Sequence, residues 1–275
     1  MHQPFVSESQ FEAIQQLLTE ARGRFAPSEL ERFEQALLGA AGVVPRPQLA
    51  PLQDPAFYFP GLTARPWHEA SRYPAVAATV ELLESAAAGV REELLAVLET
   101  RQGFQRFPEG NEERADWNVV YLKGNSRKVL QNRELFPRTA RLVDAIPRSG
   151  AGSMAMLSAV NPGGHIEPHC GPMNVRLTVH LGLVIPPDCR FRVGSESRTW
   201  QPGRCLVFDE SFEHEVWNDS TQTRFVLLAD LWHPELTDVE IELLERCDVI
   251  LGKSGAVDQM VDAAQGRLDG QKWWA

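Results

Sequence analysis

The sequence predicts a mainly β protein, a jelly roll or small barrel with helices packed around it. From Ser153 onward, short strand-like runs are punctuated by Gly and Pro: SMAMLSAV, NVRLTVHLGLVI, CRFRVG, SRTWQPGRCLVF, EHEVWN and TRFVLLADLW. Runs at that spacing fit a sandwich or barrel. At least two of them alternate in character residue by residue, and helical periodicity is confined to the flanking regions.

Phe11, Ile14, Leu17, Leu18 and Ala21 fall at helical spacing over residues 9–22. A second helix is expected to start at Ser28, which forms a capping-box pattern with Glu31. Leu30, Phe33 and Leu37 supply its apolar stripe, and Gly42 stops it. The run VPRPQLAPLQDPAFYFPG, Val43 to Gly61, is too rich in proline for helix or central strand and reads as an extended linker over the main domain. A long helix follows from about Tyr73 to Thr100. After Asp116 the texture changes: WNVVYLKG is strand-like and FPRTARLVDAI is a short helix. Helical signals return at TDVEIELLERC and near Val257. The organisation read from this is a helical pair (1–44), a linker (45–60), a jelly-roll domain with its helices (61–237) and a helical extension (238–275).

The chain has 275 residues, of which 43% are apolar, enough for a sizeable core. A net charge of −10 argues against a broad nucleic-acid footprint, which needs a basic face. Cys170, Cys189, Cys205 and Cys247 show no C-x-x-C spacing and read as reduced thiols. MHQPFVSESQ lacks a charged start followed by an apolar run, and no stretch approaches the ~20 apolar residues of a membrane span. The expectation is a soluble, cytoplasmic protein without nucleic-acid or membrane partners.

Side chains alternate across a strand. In the second of these runs, Val175, Leu177, Val179, Leu181 and Leu183 share one face, and Arg176, Thr178 and His180 the other. In the last run, Arg224, Val226, Leu228 and Asp230 oppose Phe225, Leu227, Ala229 and Leu231. Ser158 shares a face with Met154, Met156 and Val160. The polar faces are either solvated or the lining of a ligand cavity; periodicity leaves both open.

His165, His169, His180 and His214 cluster late in the chain. His169, expected at the start of a strand, and His214, in FDESFEHEVWN, lie about one barrel circuit apart. Spacing of this kind suits a mononuclear site for iron, zinc or copper, or a set of satisfied, half-buried histidines. In PHCGPMNVRLTVHLG, the position two after His169 is Gly171, where His-x-Asp iron enzymes carry a carboxylate.

The segments HIEPHCGPMNVRLTVHLGLVIP, RVG, TWQPGRCLVFDESFEHEVWN and TRFVLLADLWHPELT, in this order, resemble the aspartyl/asparaginyl β-hydroxylase family. The resemblance runs from about Phe57 to Thr237 and is strongest from Ser158 to Glu235. It implies a double-stranded β-helix (jelly-roll, cupin-like) and an iron(II)- and 2-oxoglutarate-dependent dioxygenase. Such an enzyme consumes O2, hydroxylates an unactivated carbon and releases succinate and CO2. It implies His169 and His214 as iron ligands. It implies Arg224 as the grip on the distal carboxylate of 2-oxoglutarate, with Ser158 as the hydroxyl partner and His180 beside them. Arg176 and Trp117 fall on the substrate side. Thr178 departs, because human-type members carry a second arginine there.

His165 is implied as a support rather than a ligand. Cys170 reads as a packed thiol, Asp209 and Glu210 as turn and cap residues, and Glu213 and Glu215 as facing away from the iron. Glycine at 171 is normal for this branch. Iron(II), two neutral imidazoles and doubly charged 2-oxoglutarate sum to zero without a protein carboxylate, and an Asp introduced at 171 is expected to reach the metal. A halogenase using the open position at Gly171, and a non-catalytic metal- or 2-oxoglutarate-sensing barrel, are the competing readings. The substrate is left open among a small molecule, a carrier-bound amino acid and a peptide, including the β-carbon of an Asp or Asn residue.

Overall fold

Residues 8–100, 105–106, 117–124, 127–150 and 153–251 are described in the computed structural model of the chain. The apolar stripe near the N-terminus becomes α1 (Glu8–Arg22), followed by α2 (Pro27–Ala40) and the long α3 (Pro74–Thr100). The second helix starts one residue before the sequence expectation. Pro27 occupies its first position, where a missing N–H is harmless, and Glu29 rather than Glu31 turns back to accept the Ala26 N–H at 2.9 Å.

The β region then opens with β1 (Gln105–Arg106), β2 (Trp117–Gly124) and β3 (Arg127–Lys128). Two short helices follow, α4 (Leu130–Leu135), which no sequence signal announced, and α5 (Pro137–Asp144). Next come β4 (Ala155–Val160), β5 (His165–His169), β6 (Arg176–Val184) and β7 (Cys189–Val193). The set closes with β8 (Glu196–Arg198), β9 (Cys205–Phe208), β10 (His214–Asn218), β11 (Arg224–Trp232) and α6 (Asp238–Leu251). The helical signal near Val257 lies outside the described residues.

Among the described residues the strands form two sheets. The larger runs β1-β2-β4-β11-β6-β9, with β3 on β2; the smaller runs β5-β10-β7-β8. Every named pairing is antiparallel. Two facing antiparallel sheets joined by long-range pairings make the jelly-roll, double-stranded β-helix expected from the sequence.

The alternation in β6 and β11 divides core from cavity. Leu177, Val179, Leu181, Phe225, Leu227 and Leu231 pack against Leu83, Val90, Leu94 and Val97 of α3. These α3 residues recur at helical spacing, so one stripe covers the outer face of the larger sheet. A second apolar cluster joins α1, α2 and α6 to Phe57, Phe59 and Trp232. The proline-rich stretch is extended there. Asn174 clamps Phe59, accepting its N–H at 2.7 Å and donating to its carbonyl at 2.9 Å. Thr237 and Glu240 form a reciprocal cap at the start of α6, and the buried Glu240 also pairs with Arg32 of α2. The four cysteines are free thiols, as expected.

Behind the larger sheet, His68 and His233 meet edge to face, with ring centroids 5.7 Å apart, and both are buried. Burial lowers each to a pKa of about 4, against an ordinary value of 6.5. Between those values the unfolded chain binds a proton that the folded chain does not, so stability falls as pH drops from 6.5 towards 4. His68→Phe removes one such group. Between pH 7 and pH 5 the variant is expected to keep about 2 kcal/mol of stability that the parent loses, read from urea midpoints at the two pH values. Equal losses in both proteins would refute this.

Candidate active site

The two sheets close around a cavity of about 500 Å3. His169 ends β5 rather than starting a strand, and His214 begins β10; the two are register partners across one antiparallel pair. A register shift between His214 and Val216 follows immediately, the kind of irregularity that re-aims a side chain. The rings come to 4.1 Å between centroids. Each Nδ1 faces a backbone carbonyl: His169 that of Glu167 at 2.8 Å, His214 that of Phe212 at 2.9 Å. A carbonyl only accepts, so each Nδ1 carries the proton and each Nε2 keeps its lone pair. Burial, aided by neighbouring His169, lowers His214 to a pKa of about 3, so it is neutral. Two imidazoles that bond the backbone through Nδ1 and leave Nε2 for a ligand suit a divalent transition metal. Among the described residues no group of three or more His, Cys, Asp or Glu is placed to hold one.

Arg224 is the second feature. It is 1% exposed, and among the described residues its Nε has no hydrogen-bond partner and no carboxylate acts on it. Its guanidinium lies over the Trp200 ring at 4.7 Å and reaches the Ser158 carbonyl only at 3.5 Å. Burial lowers it to a pKa of about 10, which still leaves it charged at neutral pH. A buried cation without a counter-ion is costly, and an anionic ligand would relieve it. Ser158 sits beside it, its Oγ accepting from Trp117 Nε1 at 3.0 Å with its own proton left to donate. His180 stacks on Phe191 with centroids 5.2 Å apart, and neither ring nitrogen has a partner. Burial and Arg224 hold it well below the ordinary histidine range.

The cavity's other end carries Arg176, Thr178, Asp230 and Glu210. Thr178 donates to Asp230 at 3.1 Å, and Arg176 lies over the Trp232 ring at 4.6 Å. Burial raises both carboxyls above their usual range, and the neighbouring Asp230 raises Glu210 further. Thus Ser158, His169, Arg176, Thr178, His180, His214, Arg224 and Trp117 all line one cavity. Trp117, assigned from the resemblance to the substrate side, bridges to the Arg224 corner through Ser158 and lies 6.5 Å from His169 between ring centroids.

Four neighbours are placed as expected. His165 stacks on Trp217 and contacts Glu215 at 2.8 Å. Glu213 and Glu215 turn to Arg192. Asp209 accepts the Ser211 N–H at 2.9 Å and is a turn residue. Glu210 is the correction. It is no cap: its side chain enters the cavity against Gly171, whose N–H it also receives on its backbone carbonyl at 2.6 Å. A Cβ at Gly171 would stand 2.5 Å from the Glu210 Cγ and 2.6 Å from its Cδ. Cys170 is half-buried but lines the cavity rather than packing wholly away from it. The only sequence signal for Glu210 was its place in the His214 loop.

Fold and cavity together define an oxygenase-type double-stranded β-helix. The aspartyl/asparaginyl β-hydroxylase family profile matches residues 84–234, more than half of the chain. The chain is 38% identical to human aspartyl/asparaginyl β-hydroxylase over 184 residues, covering 64% of this chain and 24% of that protein. It is 39% identical over 121 residues to the ornithine lipid ester-linked acyl 2-hydroxylase of Rhizobium tropici, covering 43% and 42% respectively. A solved oxidoreductase of the 2OG-Fe(II) oxygenase family from Burkholderia pseudomallei aligns with a TM-score of 0.39 at 15% identity, covering 54% of this chain and 80% of that one. The chain spans about a quarter of the length of the human and mouse relatives it matches. It belongs to the aspartyl/asparaginyl β-hydroxylase family.

The buried Arg224 makes a prediction that needs no metal. Succinate at tenfold over its Kd adds about 1.4 kcal/mol, a Tm rise of about 3–6 °C. Arg224→Met should abolish that rise. A variant that responds to succinate as the parent does would remove Arg224 as the anion receptor.

Proposed function

We propose that the chain is an iron(II)- and 2-oxoglutarate-dependent hydroxylase. One observation carries the reading: a buried guanidinium, Arg224, with no carboxylate acting on it among the described residues, shares a cavity with two imidazoles that bond the backbone through Nδ1 and leave Nε2 for a metal. His169 and His214 would hold the iron. Arg224 and Ser158 would hold the distal carboxylate of 2-oxoglutarate, through a charged fork and a hydroxyl donor. Iron(II) with 2-oxoglutarate supplies the oxidation, in which O2 is reduced, succinate and CO2 leave, and one oxygen atom enters a C–H bond.

The chain's own part is placement. The carbonyls of Glu167 and Phe212 fix the tautomer of each imidazole. Trp117 orients Ser158, and Phe191 and Trp200 shield His180 and Arg224 from water. Exclusion of water strengthens the Arg224–carboxylate pair. No side chain is required to remove a proton from substrate. The net charge of −10 favours a small-molecule, carrier-bound or peptide substrate over nucleic acid.

Glu210 disfavours the halogenase reading. Its side chain lies where a residue at 171 would project and takes up the space beside Gly171 that chloride would need. It also changes the expectation for Gly171→Asp. The new side chain must first displace Glu210, so we expect weaker turnover, with iron affinity that rises only if Glu210 moves aside.

The decisive experiment is substrate-dependent succinate release with iron(II), 2-oxoglutarate and O2, with mass spectrometry of the product in chloride buffer. Gain of one oxygen atom is expected. Gain of chlorine, or 2-oxoglutarate binding without any turnover across amino acids, peptides and amines, would replace the reading with halogenase or sensor. His169→Ala and His214→Ala should each lose iron binding and turnover together, whereas Arg224→Ala should lose 2-oxoglutarate affinity and keep the iron.

A further inference from the structure

We propose that this cavity takes an aliphatic substrate bearing a protonated amine, and that Glu210 receives the ammonium group. The inference rests on the hydroxylase reading and names the substrate class of that site.

The end of the cavity remote from Arg224 is rich in acid and short of free positive charge. Two carboxyls line it, Glu210 and Asp230, together with one guanidinium, Arg176. Asp209 stands close behind Glu210 and adds to the negative field there. Asp230 is already engaged: it accepts from Thr178 at 3.1 Å and from the Met154 N–H at 3.3 Å. Thr178 brings a hydroxyl and no charge. Lys123 acts on Asp230 from a distance, but its ammonium is held by the Gly150 carbonyl at 2.6 Å and by Ser149. Arg176 lies flat on Trp232 with both carboxyls in its field. Its charge is therefore spent within the protein, and it is a poor receptor for a further anion. An acidic side chain placed here would meet two carboxyls and one compensated cation. Burial, with Asp230 beside it, pushes the pKa of Glu210 up to about 8, so at neutral pH it holds a proton in place of a cation. An ammonium group replaces that proton, and Glu210, held against Gly171 inside the cavity, is the carboxyl positioned to meet it.

The wall beside this end decides the rest of the substrate. Tyr121, Met154, Met156 and Leu228 line the cavity from β2, β4 and β11 and their approaches, and offer it methylene, thioether and ring surface. On β11, Leu228 stands between Asp230 at the acidic end and Arg224 at the opposite corner, all on one face. A ligand anchored by its amine at Glu210 thus lays its carbon chain along Leu228 and Met156, which are register partners. Methionine adapts to chains of varied shape, so the wall selects for aliphatic character more than for one outline. A cavity of about 500 Å3 has room for such a chain beside a five-carbon dicarboxylate.

The test uses three probes with one chain and different heads: octylamine, octanol and octanoate. The protein is loaded with manganese(II) and 2-oxoglutarate under nitrogen, and 2-oxoglutarate binding is confirmed by calorimetry before each probe is titrated. Octylamine is expected to bind about tenfold tighter than octanoate, the effect of one charge-assisted hydrogen bond, with octanol between them. Glu210→Gln should bring amine and carboxylate to within about threefold, and Glu210→Asp should restore the preference for the amine. Octanoate binding as tightly as octylamine, or an unchanged preference in Glu210→Gln, overturns the assignment while leaving the hydroxylase reading intact. Failure of the loaded protein to take up 2-oxoglutarate overturns both.

Discussion

A strand buried on both faces tolerates no slip of register, and β11 is that strand here. Each of its residues from Arg224 to Trp232 is buried, and it pairs with β4 on one side and β6 on the other. A shift of one residue would send Leu227, Ala229 and Leu231 into the cavity and drive Arg224 and Asp230 into the apolar contact with α3. The cost of burying those charges in hydrocarbon far exceeds the gain from any alternative pairing. The register of β11 therefore carries Arg224, the apolar wall and the acidic end into their places together. The α3 stripe makes this binding in the physical sense, since it must find leucine and phenylalanine, not charge, on the sheet it covers.

The two buried arginines of the cavity show how context separates identical side chains. Arg176 and Arg224 both stack on a tryptophan, at 4.6 and 4.7 Å. Arg176 has Asp230 and Glu210 in its field, whereas among the described residues no carboxylate acts on Arg224. The first is part of an internally balanced cluster; the second is a standing charge that an anion completes. Polarity is in this way distributed along one cavity, with an anion-receiving corner and an acid-rich end separated by methionine and leucine.

Pairing of β5 with β10 does for the imidazoles what β11 does for the arginine. His169 and His214 are far apart in the chain, yet adjacent across one ladder. Their Nδ1 protons are fixed by carbonyls two residues earlier in each case, so the tautomer is a property of the local backbone. The absent side chain at Gly171 is then a packing requirement, because Glu210 occupies the adjoining space.

Alternation and periodicity are local properties, and whatever depended on them could be read from the chain. The strands around Leu177 and Leu227, the long α3 and the sharing of a face by Arg176, Thr178 and His180 needed only the two-residue period of a strand or the helical turn. The roles of His169, His214, Ser158 and Arg224 came from the family resemblance, and the geometry brings those four residues into one cavity. What the chain could not disclose was set by contacts between distant segments. Glu210 lies in a turn, as its sequence suggested, but the direction of its side chain depends on the loop that carries it, and that loop is pinned by the bridge between Gln53 and Phe212, far apart in sequence. The same holds for the proline-rich stretch, whose Asp54 and Ala56 reach the cavity because Phe57 bridges to Met173. A local pattern states which face of its own element a residue occupies; only the closed fold decides what stands opposite that face, and the charge balance at the acidic end is the sum of four segments that meet nowhere but there.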